Sequence, residues 1–151
     1  MQKIIVFDRF YLYPYAVWTA DEQIQFTDGE GDASHITPSR DGKGKEIIAK
    51  RLKSFLSTLD QIDFLKIDIE GAECAVLADC EDELKRVHHL FVEYHSLKDH
   101  PQELGALLEI LLRQGFRYFI ETEQQRTIPF INRSLRSNDR FDMQLNIFAY
   151  R

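Results

Sequence analysis

A strand that ends in acidic residues places the strongest restriction on the fold. Asp68 closes an apolar strand pattern, and Glu70 and Gly71 follow before a helix-forming stretch begins. Strand and helix patterns then alternate over residues 62–68, 72–86, 90–95 and 101–114. Because this alternation is typical of parallel strands joined by right-handed crossovers, the chain is predicted to form an α/β fold. Open α/β sheets bind ligands at the carboxyl ends of their strands, so Asp68 lies where a ligand is expected.

The segments on either side of this pattern predict further strands and one more helix. Strand composition occurs at residues 4–7, 11–18, 23–26, 116–122 and 143–150. An apolar stripe with helical spacing predicts a helix before the acidic strand, and it consists of Ile47, Ile48, Leu52, Phe55, Leu56 and Leu59. Residues 27–45 are rich in glycine and polar residues and predict an exposed loop. No helix pattern separates the last two strands, which are therefore expected to form an antiparallel hairpin.

Length and charge limit the number of domains and the kind of partner. The chain has 151 residues, of which 44% are apolar, and this suits one domain over residues 1–151 with a single core. The formal net charge of −6 argues against binding nucleic acid or an anionic membrane surface through bulk electrostatics. No stretch of the sequence approaches the length of a membrane span. We therefore expect a soluble protein whose partners are small or neutral molecules.

The two cysteines bear on the cellular compartment. Cys74 and Cys80 lie in one helix-like stretch, without a CxxC motif or a nearby group of histidines. That spacing indicates neither a zinc site nor a disulfide framework. A reducing, cytoplasmic location is therefore expected.

Four polar groups are expected to meet at one edge of the sheet. The alternation of side chains places Asp68 at the end of one strand, and Glu93 and His95 on one face of the next. Glu70 joins them if the extended backbone continues past Asp68. Gly71 can adopt a positive φ and so turn the chain sharply into the helix. These carboxylates could accept hydrogen bonds from ligand hydroxyls, act as a general base, or hold a divalent metal together with His95.

Purely structural roles explain the same residues without a site. Asp68 or Glu70 can cap the following helix, and Glu73 can complement the dipole of that helix. His95 can be a solvated histidine at the end of its strand. Lys66 interrupts an apolar strand, and we expect it to pair with an acid such as Asp68. The residues alone leave these alternatives open.

Three segments are informative when they are taken together. They are DFLKIDIEGAE at residues 63–73, followed by Val76 and Leu77, then LFVEYH at residues 90–95 and LRQGF at residues 112–116. In order and spacing they resemble the FkbM-type S-adenosylmethionine-dependent methyltransferases. The sequences YAVW at residues 15–18 and IQF at residues 24–26 are similar to the segment after the third strand of that family. The resemblance extends from about residue 4 to the last residue.

The resemblance implies a class I methyltransferase fold, which is a Rossmann-like three-layer sandwich with a mostly parallel sheet and a C-terminal antiparallel hairpin. That family holds its cofactor mainly at a glycine-rich loop after the first strand, and no GxG motif precedes Tyr15. The chain therefore resembles the carboxy-terminal two-thirds of such an enzyme, a partial domain without the first strands and that loop. Their absence would leave the strand of Asp68 with an unpaired edge. We expect either the amino-terminal strands or another chain to cover it, the latter as a homodimer.

Two functions are compatible with this resemblance. The first is transfer of a methyl group from S-adenosylmethionine to a hydroxyl of a small molecule or glycan. It implies Asp68, Glu70 and His95 as catalytic residues, Glu93, Gly71 and Lys66 as acceptor-binding residues, and Ala16, Val17 and Trp18 as cofactor contacts. The second is a non-catalytic interaction module that keeps the acceptor side of the fold and has lost cofactor binding. Neither function assigns a metal ion to the site.

Overall fold

Two four-stranded sheets and three α-helices make up the described part of the chain. The computed structural model describes residues 9–27, 35–37, 45–122, 128, 130–131 and 141–151. The strand predicted at residues 4–7 and most of the loop predicted at residues 27–45 lie outside these residues.

The first sheet is built from the amino-terminal strands. It contains β1 (Ala16–Trp18), β4 (Lys45–Arg51), β2 (Glu22–Thr27) and β3 (His35–Thr37), in that spatial order. Strand β1 is parallel to β4, whereas β2 is antiparallel to both of its neighbours. The strand predicted over residues 23–26 is confirmed, and only the end of the strand predicted over residues 11–18 forms.

The helix predicted from the apolar stripe begins later than expected. Residues 45–51 form β4, and helix α1 spans only Leu52–Leu56. Ile47 and Ile48 pair with residues of β2, Ile48 is 49% exposed, and the fully buried residue of this strand is Ala49. The helical spacing of the two isoleucines with Leu52 is therefore coincidental, because pairing with another strand determines the backbone there.

The second sheet contains the acidic strand. Its strands are β5 (Ile62–Ile67), β6 (Val87–Leu97), β8 (Phe141–Tyr150) and β7 (Arg117–Glu121), in that spatial order. Strands β5 and β6 are parallel, as expected from the crossover pattern, and β8 is antiparallel to both β6 and β7. The predicted hairpin of the last two strands is confirmed, with β8 inserted between β6 and β7.

Helices cover one face of this second sheet. They are α2 (Glu73–Asp79), a 3₁₀ helix (Glu81–Arg86) and α3 (Leu104–Arg113). The helix predicted over residues 72–86 thus ends at Asp79, and tighter turns follow. Leu77 of α2 and Leu107 and Leu111 of α3 pack with strand residues such as Val92 and Ile147 in one buried cluster. Burial of each such side chain contributes about 1.5–3 kcal/mol, so this cluster anchors both helices to the sheet.

The opposite face of the second sheet carries large exposed rings. Phe64 is 62% exposed, Phe119 57%, Phe148 40% and Tyr150 45%. We refer to the side of the second sheet that bears these four rings as the open face.

Two expectations about the sheet are wrong for the described residues. The strands form two sheets, and antiparallel pairs outnumber the parallel pairs β1–β4 and β5–β6. The described amino-terminal strands, β1 to β4, do not cover the acidic strand, because they pair among themselves, and the strand predicted at residues 4–7 lies outside the described residues. Within the described ranges β6 is the single hydrogen-bonded neighbour of β5. Pairing of that edge with a second copy stays a prediction.

The two sheets are joined through α2. Leu56 of α1 packs against Val76 and Cys80 in a second buried cluster that also includes Val17 of β1. Cys74 and Cys80 are free, buried thiols, and burial raises the pKa of each to about 12. Across the described ranges, no helix is both long enough and apolar enough to cross a membrane.

Candidate functional site

A turn with unusual backbone geometry connects β5 to α2. Glu70 has a φ of 54° and Gly71 a φ of 100°, so two successive residues lie in the left-handed region. Residues other than glycine rarely adopt such a φ. A residue held in this region often marks a functional site. The extended backbone therefore stops after Asp68, and the turn instead determines the position of the Glu70 side chain.

Glu73 holds this turn from inside the protein. Its side chain is 1% exposed, in the first turn of α2. The carboxylate accepts hydrogen bonds from the backbone N–H of Gly71 at 3.0 and 3.1 Å and of Ile69 at 3.2 Å. It also contacts the ring Nδ1 of His95 at 3.1 Å and the backbone N of His95 at 3.5 Å. One buried carboxylate thus fixes both the turn and the histidine of the neighbouring strand.

His95 is a buried histidine with a directed ring. Its side chain is 3% exposed, so the interpretation as a solvated histidine is wrong. A carboxylate only accepts hydrogen bonds, so in the contact with a charged Glu73 it is Nδ1 that carries the proton. The other ring nitrogen, Nε2, then faces the carboxylates of Glu70 and Glu93, each at 3.8 Å. Phe141 packs on the ring with a centroid separation of 4.9 Å and restricts its rotation.

The surroundings shift the acidity of both His95 and Glu70. Burial acts to lower the pKa of His95, but the hydrogen bond to Glu73 and the charges of Glu73, Glu70 and Glu93 outweigh it, so that pKa is raised. Partial burial raises the pKa of the Glu70 carboxyl, and the charge of His95 opposes that shift without cancelling it. Both groups are thereby more basic than usual, which suits them to accept a proton.

Asp68 and Glu93 complete the cluster, and each has a partner. Lys66 binds Asp68 at 3.0 Å, as expected from the sequence, and this contact raises the pKa of Lys66. The side-chain amide of Gln144 on β8 donates a hydrogen bond to Glu93. Ligand atoms of Asp68, Glu93 and His95 lie within 4.8 Å of one another, so these three residues could hold a divalent cation. Lys66 already forms an ion pair with Asp68, and Gln144 already donates a hydrogen bond to Glu93. We therefore assign no metal to the three residues.

Capping does not explain the acidic residues. The residue before α2 is Ala72, and no side chain caps that end of the helix. Asp68 and Glu70 are instead directed to Lys66 and towards His95, respectively. The acidic cluster therefore has an arrangement that the start of a helix does not require.

A pocket of about 240 Å³ opens beside the cluster. It is lined by Gly71, Glu73, Cys74, Tyr94, His95, Leu97, His100, Pro101 and Glu103. Its volume is below the range of about 300–1,000 Å³ that is usual for drug-sized ligands. The pocket therefore suits a small ligand, or one ring at the end of a longer molecule.

The structure brings most of the predicted site residues together and leaves others apart. Asp68, Glu70, Gly71, Glu93 and His95 all lie at the carboxyl ends of β5 and β6, with Lys66 paired to Asp68. The predicted cofactor contacts Ala16, Val17 and Trp18 form β1 of the first sheet. Ala16 and Val17 line a separate apolar groove of about 420 Å³, beside Tyr13 and Phe55.

Two residues of the site were not predicted. Gln144 reaches Glu93 through the register of β8 on β6, which no local motif reveals. Glu73 was interpreted only as a complement to the helix dipole. Its sequence signal is its position, because Glu73 shares the apolar face of α2 with Val76, Leu77 and Cys80 at helical spacing. A carboxylate on the buried face of a helix indicates a buried polar contact.

Replacing Gly71 with alanine is expected to lower the free energy of unfolding by about 1–3 kcal/mol, because the new side chain would be strained at this positive φ. An added Cβ would also lie 3.4 Å from Leu97, at the lower limit of ordinary van der Waals contact, so there is little room for the backbone to relax. Gly115 also has a positive φ, but no atom lies within 4 Å of a Cβ added there. At Gly105 the φ is not positive, and no atom lies within 4 Å of the added Cβ. Denaturant unfolding should therefore give the order Gly71→Ala, Gly115→Ala, Gly105→Ala from most to least destabilised. Equal stabilities for the three variants would contradict the assigned turn geometry.

Comparison with known protein families supports the resemblance seen in the sequence. Residues 9–118 match the family described as the Methyltransferase FkbM domain. Neither a curated protein nor a solved structure matches the chain. The family match spans well over half of the chain, including β5, the acidic turn, β6 and the buried histidine. The chain therefore belongs to the FkbM methyltransferase domain family.

Proposed function

We propose that this chain methylates a hydroxyl group of a small molecule or glycan, with S-adenosylmethionine as the methyl donor. The observation that carries the proposal is the directed ring of His95. Its Nδ1 is held by the buried Glu73 at 3.1 Å, and its Nε2 faces the strand-end carboxylates at 3.8 Å. A histidine oriented by a buried carboxylate is a common arrangement for accepting a proton from a hydroxyl.

The proposed roles follow from the contacts of each residue. His95 accepts the hydroxyl proton at Nε2, and Glu73 stabilises the imidazolium that results. Glu70 and Glu93 each lie 3.8 Å from Nε2, beside the residues that line the pocket, and accept hydrogen bonds from the part of the acceptor that reaches Nε2. Asp68 is a second proton acceptor in reach of the cluster, and it is already paired with Lys66 at 3.0 Å. Orientation of this kind lowers the barrier by holding the nucleophile where it can react.

The charge of the cluster fits the proposed cofactor. Asp68, Glu70, Glu73 and Glu93 are all acidic, while Lys66 is the cation in contact with Asp68, and His95 adds a positive charge only when it is protonated. S-adenosylmethionine supplies a methyl group on a positively charged sulfonium, and it also carries an ammonium group. A carboxylate-rich strand end is favourable for such a cation. Glu70 and Glu93 are the residues of this chain that would hold the positive part.

The apolar groove provides a site that suits the adenine of the cofactor. Ala16 and Val17 line it together with Tyr13, Tyr15 and Phe55, and its volume of about 420 Å³ is typical of small-molecule sites. Flat aromatic ligands stack well on such rings. We therefore keep Ala16 and Val17 as proposed cofactor contacts, whereas Trp18, the next residue of β1, does not line the groove and is proposed from the family resemblance alone.

The acceptor is proposed from the polarity of the pocket. Carboxylates and a histidine bind hydroxyl groups well, and the pocket of about 240 Å³ holds a small polyhydroxylated group. A sugar ring or a compact hydroxylated molecule meets both conditions. The two free thiols, Cys74 and Cys80, fit the reducing cytoplasm that we propose as the location.

One observation favours a non-catalytic module as the second candidate. The pocket of about 240 Å³ beside His95 and the apolar groove have no lining residue in common. Donor and acceptor must lie in contact for methyl transfer, so two separate sites would give binding without reaction.

Titration calorimetry with S-adenosylmethionine separates the two candidates. The methyltransferase proposal predicts binding with a Kd below about 1 mM, and a weaker Kd for Glu70→Gln because that variant removes one carboxylate from the cation site. Leu112→Gln, on an exposed part of α3, serves as the matched control and should bind as the unaltered chain does. Absence of heat at about 1 mM cofactor would support the non-catalytic module.

A further inference from the structure

Strand register arranges the open face into rows that run across the four strands. The first row contains Phe64, His89, Tyr150 and Arg117. The central row contains Lys66, Phe91, Phe148 and Phe119. The third row includes Glu93 and Glu121. The open face is therefore aromatic at its centre, basic at one end of the strands and acidic at the other.

The rings of the central row form one continuous apolar surface. The centroids of Phe91 and Phe148 are 5.1 Å apart, and those of Phe148 and Phe119 are 6.5 Å apart. Phe119 and Phe148 nevertheless remain 57% and 40% exposed. Contiguous exposed rings on a folded domain usually mark an interface with another macromolecule.

We propose that the open face packs against the open face of a second copy of this chain. The distribution of charge on the face argues for this occupant. Arg117 and Glu121 lie at equal distances from Phe119 along β7, one residue pair on each side. A two-fold axis through the central row, perpendicular to the strands, would place Arg117 of each copy over Glu121 of the other. The same rotation places His89 opposite Glu93 and stacks the aromatic rows on each other.

Other two-fold arrangements are less favourable. An axis parallel to the strands, between β6 and β8, would reverse the order of the strands and set Arg117 of one copy over Phe64 of the other, so Arg117 would lose its ion pair with Glu121. An axis perpendicular to the sheet would join two β5 edges and leave the rings of the open face exposed. In the proposed arrangement Lys66 approaches Lys66 of the other copy, but each has Asp68 at 3.0 Å as its own counter-ion. Self-complementary packing of two sheet faces about 10 Å apart is a common dimer geometry.

Sedimentation velocity measures this association directly on the full chain. Between about 1 and 100 µM we expect a concentration-dependent dimer. Phe119→Glu should weaken it at least about tenfold, because each dimer would then bury two charges at one end of the stacked aromatic rows. Leu112→Glu is the matched control, since Leu112 is 59% exposed but lies on α3, outside the open face. The Leu112→Glu variant should leave the dimer unchanged. Circular dichroism serves to check that both variants fold.

A charge exchange tests the proposed direction of packing. Arg117→Glu and Glu121→Arg should each weaken the dimer about tenfold, since each puts like charges opposite each other twice. The double substitution restores opposite charges and should return the dimer Kd to within about threefold of the original. A monomer at about 100 µM, a dimer insensitive to Phe119→Glu, or a double variant as weak as the single ones would each overturn the proposal. The proposed dimer covers Lys66 and Glu93, so it competes with ligand binding at these two residues. A chain that stays monomeric overturns the dimer and leaves the proposed methyl transfer untouched.

Discussion

Replacing Glu73 with alanine is expected to lower the free energy of unfolding by about 3–5 kcal/mol, the usual cost of removing one partner from a buried charge pair. The substitution leaves the N–H groups of Ile69 and Gly71 and the ring of His95 without their acceptor. Each is at least partly shielded from water, so hydration replaces the lost contacts only in part. Since single domains are stable by about 5–15 kcal/mol, the loss is a large fraction of the total. Urea unfolding followed by circular dichroism measures it.

Two further variants show which property of Glu73 matters. Glu73→Gln keeps an oxygen acceptor in a side chain of the same shape. It should lower the free energy of unfolding by less, about 1–3 kcal/mol, because its uncharged hydrogen bonds are weaker. Glu109→Ala removes a 73% exposed carboxylate from α3 and should change stability by no more than about 0.5 kcal/mol. A loss below about 1 kcal/mol for Glu73→Ala would reduce Glu73 to a complement of the helix dipole.

Replacing His95 with glutamine is expected to reduce the rate of methyl transfer about 10²–10⁴-fold, the usual contribution of a positioned general base. Glutamine is of similar polarity but cannot take up a proton, so binding of the acceptor should change less than the rate. S-adenosylmethionine with a labelled methyl group, offered with a panel of methyl glycosides and small hydroxylated compounds, provides the assay. His88→Gln, an exposed histidine at the start of β6, serves as the control and should retain full activity.

The pH dependence gives an independent reading of the same residue. His95 must be neutral to accept a proton, and its pKa is raised by Glu73, Glu70 and Glu93. Activity should therefore increase as pH rises through a value above the ordinary histidine pKa of about 6.5. A flat profile, together with an active His95→Gln variant, would transfer the role of base to Asp68 or Glu70.

Local patterns predicted the part of the fold that depends on neighbours in the sequence. The unit of β5, α2 and β6 and the hairpin of β7 and β8 form as expected, because alternation and helical spacing are local signals. Ile47 and Ile48 were wrongly placed in a helix, since pairing with β2 does not show in their spacing. The insertion of β8 between β6 and β7 likewise depends on contacts over more than 40 residues.

The candidate site divides in the same way. Asp68, Glu93 and His95 were found because strand ends and side-chain alternation can be read from a short segment. Glu70 reaches His95 through a left-handed turn, and not along an extended strand as expected. The buried position of Glu73 and the contact from Gln144 emerge only when the helix and β8 are packed against β6. Tertiary packing, which one sequence does not display, therefore determines the orientation of the histidine.

The central position of β8 also has a consequence for how the chain acquires its structure. Strand β6 pairs on one side with β5, which is near in sequence, and on the other side with β8 at residues 141–150. Pairing with β8 brings His89 next to Tyr150, which is far away in the sequence. Closing a loop of this length costs entropy before any pairing is gained, which slows folding. The last described strand to be synthesised is thus the one that completes the sheet, and a ribosome-bound chain exposes one edge of β6 until that strand emerges.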